Sequence, residues 1–239
     1  VKTDGSAVYP IDIKLPNMVY AAVKACPVPG GKLKSFDFGA IKDRPGVIAA
    51  IELKQKKAKP KNRDLHSGIA VVADSWWRAR NALNIMPVDW DFGDGINISN
   101  EVQRKEAEQF LKKGGELLVN KKGSAGFKLG NGVNVDEVPK LLAASDKIVT
   151  GEYHRPFETH ATMMPPAAVA DVKSDRVDIW TFSQDTSRSL GDAADQLGRD
   201  PKEVYVHQTF QGGGFGNGYC VDIVRQTVEI SKQLKRPVQ

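Results

Sequence analysis

The sequence predicts a mixed α/β fold. Three observations carry that expectation: short β-type runs alternate with turns through residues 1–95, a strand–helix–strand order occurs near residues 69–90, and β-type runs return after Lys147 with helical spacing behind them. Composition agrees, since 41% of the 239 residues are apolar and 26% are charged, with 22 Gly and 13 Pro. Such a chain can bury a core, which excludes disordered and collagen-like structure.

Taken in order, Tyr9–Ile13, Met18–Val23 and Val47–Leu53 read as strands separated by Pro-Asn and Pro-Gly-Gly breaks. Ile69–Ala73 is a buried strand running into Asp74-Ser75, either of which can cap a helix over Trp76–Asn84. Val88–Trp90 follows as a strand, and Glu101–Lys113 as a helix inside a Gly-, Asn- and Lys-rich stretch that includes Lys121–Gly126. Beyond Lys147 the expected strands are Ile148–Tyr153, Ala167–Val172, Val177–Phe182 and Val204–Phe210, with a helix over Leu190–Leu197. A last helix carries Val221, Val224 and Val228 at helical spacing to Leu234, and Pro237 closes it. These runs divide the chain into an α/β unit at 1–95, a linker or insert at 96–145 and a second unit at 146–239.

Net charge is +5 with a pI near 9.1. Much of the excess lies in the run from Lys54 to Arg63, which has no aromatic residue to stack on a base and is interrupted by Pro60. It reads as a solvated loop, so no nucleic-acid partner is expected. No apolar stretch approaches the roughly 20 residues needed to cross a bilayer, so no direct membrane span is expected. The start, Val1-Lys2-Thr3-Asp4-Gly5, has neither an initiator Met nor an export signal, so the numbering is expected to begin inside a longer or processed chain. Cys26 and Cys220 lack Cys-x-x-Cys spacing, so this chain's sulfur builds neither an iron–sulfur cluster nor a structural zinc site. One disulfide between them is open by count alone.

Gly212-Gly213-Gly214-Phe215-Gly216-Asn217-Gly218 is the most informative stretch. Five glycines in seven residues, between a strand and a helix, let backbone approach a ligand closely and can turn consecutive N–H groups toward an anion. The spacing fits neither Gly-x-Gly-x-x-Gly nor a phosphate loop. A ligand-cradling loop and a plain tight turn both remain open, with Phe215 at the apex favouring the first. His154, Glu158 and His160 lie close in sequence, but Pro156 interrupts helical spacing, and Met163, Met164, Pro165 and Pro166 read as packing a turn. Trp76 and Trp77 read as core or interface residues. No nucleophile elbow, carboxylate pair or Ser-His-Asp signature is present.

Several segments together resemble the large, molybdenum-binding subunit of xanthine oxidase/aldehyde oxidase hydroxylases, most nearly the branch of the isoquinoline 1-oxidoreductase β-subunit. The matching stretches are Tyr9–Val23, Pro27–Leu33, Gly68–Ala79, Pro156-Phe-Glu-Thr-His160 with Met163, Trp180-Thr-Phe-Ser-Gln184 and Gly212–Gly216. They keep the family's order over nearly the whole chain. The resemblance implies an α/β hammerhead domain followed by the first part of a molybdenum-cofactor-binding domain. It places Gln184 beside the molybdenum oxo group, Phe215 and Gly216 over the metal, and the amides of Gly212, Gly213 and Gly214 against the cofactor. Gln184 and Phe215 are thereby the candidate catalytic residues. Because a pterin dithiolene supplies the sulfur, no protein metal ligand is required.

The same resemblance implies a molybdenum–molybdopterin cofactor in its cytosine dinucleotide form and a small [2Fe–2S] subunit as partner. A cytochrome c subunit and a periplasmic location go with this branch, a cytoplasmic one being the alternative. Two positions depart from the family pattern: Met164 stands where His-x-x-Met-Glu-Pro has Glu, and Asn217-Gly218-Tyr219 replaces a continuation into a basic residue. The family's glutamate base lies several hundred residues beyond the glycine loop. The chain is therefore expected to be a fragment or split-gene product, inactive alone, whose partner is the remaining part of the molybdenum subunit. The reading from a different class is a non-catalytic α/β binding or assembly module with a structural glycine loop.

Overall fold

A computed structural model describes residues 1–28, 30–56, 65–113, 137–219 and 222–239. It contains eight described strands: β1 (Tyr20–Ala25), β2 (Lys32–Phe36), β3 (Val47–Leu53), β4 (Gly68–Ala73), β5 (Val88–Asp91), β6 (Ala168–Val172), β7 (Val177–Thr181) and β8 (Val204–Gln208). The described helices are α1 (Trp76–Ile85), α2 (Asn100–Lys113), α3 (Val138–Ala143), α4 (Thr186–Leu197) and α5 (Asp222–Leu234). Backbone contacts gather residues 1–96 and 159–239 into one compact unit and residues 97–158 into another.

In the first unit β4 lies between β1 and β3, antiparallel to both. All six residues of β4 are buried, because both faces of this sheet are covered. Ile69, Val71 and Ala73 face α1, packing with Ala79, Ala82 and Leu83. Ala70 and Val72 point the other way, toward Ile230 of α5 and Val238. Helix α1 begins where Ser75 accepts a hydrogen bond from the Arg78 N–H, the expected kind of cap. β2 and β5 form a separate antiparallel pair.

The second sheet of this unit has the order β6-β7-β8, with β6 antiparallel and β8 parallel to β7. Ala170, Val177, Ile179 and Val204 form a face against Ala193 and Ala194 of α4 and Val224 and Val228 of α5. Between the two helices, buried Arg225 pairs with Asp192 at 2.7 Å and Asp195 at 2.8 Å. The chain end then joins the two sheets: Val238 exchanges two 2.9 Å hydrogen bonds with Ala170, while Gln239 N–H donates to the Val19 carbonyl at 3.0 Å.

Several expectations need correction. Tyr9–Ile13 is not a strand; Pro10–Asp12 is a 3₁₀ turn, with Pro10 at its first position and Asp12 accepting from the Tyr9 N–H at 2.9 Å. Ile148–Tyr153 is not a strand either, because these exposed residues lie in no sheet. β8 ends at Gln208, short of Phe210, and α4 begins four residues before Leu190. Trp76 and Trp77 are 52% and 68% exposed and so belong to no core. β2 and α3 were not foreseen. Lys57–Arg63 of the basic run, Lys121–Gly126, Cys220 and Val221 lie outside the described residues. Cys26 is a free cysteine.

Candidate cofactor-binding site

The parallel neighbours β7 and β8 bring Gln184 and the glycine loop together at their C-terminal ends, the usual place for a ligand crevice in sheets of this kind. After β7 the chain turns sharply into α4. Ser183 Oγ accepts from the Asp185 N–H at 3.0 Å, and Asp185 Oδ1 accepts from the Arg188 N–H at 3.0 Å, which caps the helix. Gln184 is fixed between these two anchors. β8 leaves its sheet beside this corner, with the Gln208 side-chain amide donating to the Ser183 carbonyl at 3.0 Å.

Gln184 Oε1 accepts two hydrogen bonds of 3.0 Å, from the N–H groups of Gly216 and Gly218. Two amide donors on one oxygen fix the side-chain orientation, so the NH₂ end faces away from these donors. That Nε2 has no hydrogen-bond partner among the described residues. Asn217 N–H donates to the Gly214 carbonyl at 2.7 Å and Tyr219 N–H to the Gly216 carbonyl at 3.1 Å, closing the loop on itself. The N–H groups of Gly212, Gly213, Gly214 and Phe215 make no such closure; none has a protein acceptor among the described residues.

Close approach explains the glycines. A Cβ on Gly214 would lie 2.5 Å from Gln184 Oε1, and one on Gly218 would lie 2.7 Å from Gln184 Cγ. Both positions must be bare for Gln184 to lie under the loop. Phe215 has φ +50°, a left-handed backbone rare for an aromatic residue, and its side chain is 70% exposed. Strain of that kind persists where the surroundings fix it, and here Gly213 leaves room for the Phe215 ring 3.0 Å from where a Cβ would stand.

The segment 160–164 holds the loop from its other side. Met163 N–H donates to the Gly212 carbonyl at 3.1 Å, and buried Met164 lies against Gly212, whose Cβ would come within 2.6 Å of the Met164 Cβ. His160 Nε2 is 3.9 Å from the Cβ position of Gly216. Among the described residues no group of three or more His, Cys, Asp and Glu is arranged to hold a metal ion.

The structure thus unites Gln184, Gly214 and Gly216, adds Gly218, and turns Phe215 outward, while Gly212 serves contact with Met164. Sequence reasoning missed Gly218, the clamp by Met164, and Gln211, whose side chain lies against the bare face of Gly214. Gly218 stood in the cluster; the signal that it mattered was the glutamine that needs its bare face. An oxygen-rich or anionic group fits this donor set: four unclosed N–H groups in sequence, plus a primary amide held by its oxygen. A molybdenum–pterin cofactor has that chemistry, offering acceptor oxygens and bringing its own sulfur ligands.

Comparison with known proteins matches residues 124–239 to the model of the molybdopterin cofactor-binding domain. The beta subunit of isoquinoline 1-oxidoreductase from Brevundimonas diminuta is 27% identical over 243 residues, covering 98% of this chain and 28% of that protein. A nicotinate dehydrogenase subunit of Pseudomonas putida is 23% identical over 257 residues, covering 100% of this chain and 18% of the other. Quinoline 2-oxidoreductase from Pseudomonas putida 86 superposes with a TM-score of 0.69 at 20% identity, over 99% of this chain and 32% of that one. The mixed α/β fold is therefore that of part of a molybdenum hydroxylase subunit. The chain spans less than a third of the length of these relatives.

Proposed function

We propose that this chain is the N-terminal part of the molybdenum-binding subunit of a hydroxylase that oxidises an aldehyde or hydroxylates an N-heterocycle. The observation that carries this reading is the donor-lined corner in which Gln184 and the glycine loop meet. When bound there, a molybdenum–molybdopterin cofactor, in its cytosine dinucleotide form, supplies two-electron oxidation of the substrate with oxygen taken from water. The chain's part is to hold and orient. The N–H groups of Gly212, Gly213, Gly214 and Phe215 face acceptor oxygens, Gln184 Nε2 donates a hydrogen bond, and the exposed Phe215 ring keeps water from the reacting face.

The remaining part of the molybdenum subunit supplies the glutamate base, so this chain alone is inactive. Electrons leave through a [2Fe–2S] subunit, which this chain with its two cysteines is not, and then to a cytochrome c subunit in a periplasmic complex. On this reading residues 1–95 are the hammerhead domain, 96–145 an insert and 146–239 the start of the cofactor domain.

A second reading, an assembly module with a structural loop, has one observation in its favour: Gln184 Oε1 already closes the corner by accepting two loop N–H bonds. Gln184→Ala and Phe215→Ala in the assembled complex separate the two. A cofactor site loses turnover while the subunits still co-purify; a scaffold keeps both turnover and assembly, and that result would end the enzyme reading.

A further inference from the structure

Behind the glycine loop a cavity of about 790 Å³ opens between β1, α1, residues 165–168 and the first turns of α5. Its volume is that of a small-molecule site. The space exists because its walls carry little: Ala21 and Ala22 on one side, Ala167 and Ala168 on another, with Phe182 and Ile230 completing an apolar slot. At the exposed rim stand Trp76 and Arg80, four residues apart and so on one face of α1. Arg80 makes no hydrogen bond or ion pair among the described residues.

Of the other polar residues of the lining, Asn217 and Gln226 make no side-chain hydrogen bond among the described residues, while the rest are engaged. Thr227 Oγ1 donates to the Ile223 carbonyl at 2.6 Å, and Gln239 Nε2 donates to the carbonyls of Pro10 and Ile11, each at 3.1 Å. The one acidic residue, Asp222, contacts the His66 ring and starts α5, where the positive end of the helix offsets its charge. A polypeptide segment would bring a row of backbone groups into this slot and find only the Asn217 and Gln226 amides and Arg80 to bond them. A ligand polar at one end suits it better.

We propose that this cavity binds an organic acid with a flat apolar body. The ring system lies in the alanine-walled slot and covers the indole of Trp76, while the carboxylate meets the Arg80 guanidinium, whose planar fork matches it. Phe182 and Asn217 join this cavity to the back of the loop, but none of Gln184, Gly212, Gly213, Gly214, Phe215 and Gly216 lines it. The proposal therefore stands or falls separately from the cofactor reading.

Isothermal titration calorimetry of the full chain with 2-naphthoate and its neutral isostere 2-naphthamide tests it. The expected result is saturable one-to-one binding of the acid, with the amide weaker by about tenfold, the loss of one charge-assisted contact. Arg80→Gln, an exposed change that leaves the fold intact by circular dichroism, reduces the acid to the level of the amide. Ala167→Leu fills the slot and weakens both compounds. Failure of the folded chain to bind either compound, as a seat for polypeptide would give, overturns the proposal. So does equal binding of acid and amide that Arg80→Gln leaves unchanged.

Discussion

At Gln184 one side chain has two ends with two duties, and they can be tested apart. Removing it in Gln184→Ala leaves the N–H groups of Gly216 and Gly218 without their acceptor, which should cost about 1–3 kcal/mol by thermal denaturation. Gln184→Glu keeps an acceptor for both N–H groups but removes the NH₂ donors. Its melting temperature should stay near wild type while turnover of the assembled complex falls; unchanged turnover would assign Gln184 to structure alone. Gly212→Ala should destabilise by about 1–3 kcal/mol, because the new Cβ meets the Met164 Cβ and backbone, which cannot swing aside. Much of this corner was legible in the sequence as residue types. Five glycines around a phenylalanine announced close approach, and Gln184 stood on a matching strand end. What could not be read was which glycine touched what. The pairings of Gln184 with Gly214, Gly216 and Gly218 join residues 30 or more positions apart, and the parallel placement of β7 beside β8 brings them together.

Elements were legible where burial on one or both faces imposed a pattern. β4 is apolar at nearly every position because both its faces are covered, and α1 follows a serine cap that local chemistry demands. Tyr9–Ile13 misled because its apolar residues resemble a strand, while Pro10 withholds an N–H and Asp12 offers a competing bond to the Tyr9 N–H. β2 was missed since Lys32, Ser35 and Lys34 dilute its apolar content, and its pairing with β5 is what defines it. In the sheet of β6, β7 and β8, the face away from α4 and α5 carries Asp178, only 7% exposed, bonded to Arg176 and to His207 Nε2 at 2.7 Å. The Arg176 guanidinium, with His207 adding to it against the opposing effect of burial, holds the Asp178 carboxyl below its usual range. A carboxyl lowered in the folded state stabilises above its unfolded value and loses that contribution as pH falls through the folded one. The stability gap between wild type and Asp178→Asn, followed by denaturant unfolding from about pH 7 downward, should therefore shrink below about pH 4. A constant gap would mean the carboxylate contributes nothing to folding through its charge. Asp185→Ala, which removes the cap of α4, should cost about 1 kcal/mol in the same assay.

For the whole molecule, the mixed fold class followed from alternating runs, but the strand order within its sheets and the way its parts combine did not. Residues 1–96 and 159–239 share one compact unit because α5 places Ile230 in the core of the first sheet and Val238 bonds across to Ala170 of the second. No local pattern announces contacts between the two ends of a chain. The chain matches less than a third of the length of the two curated relatives. The most direct test is the molybdenum and pterin content of the active complex purified through this chain. One molybdenum and one pterin for each copy of the chain is the expected result, whereas an active complex free of both would contradict the account.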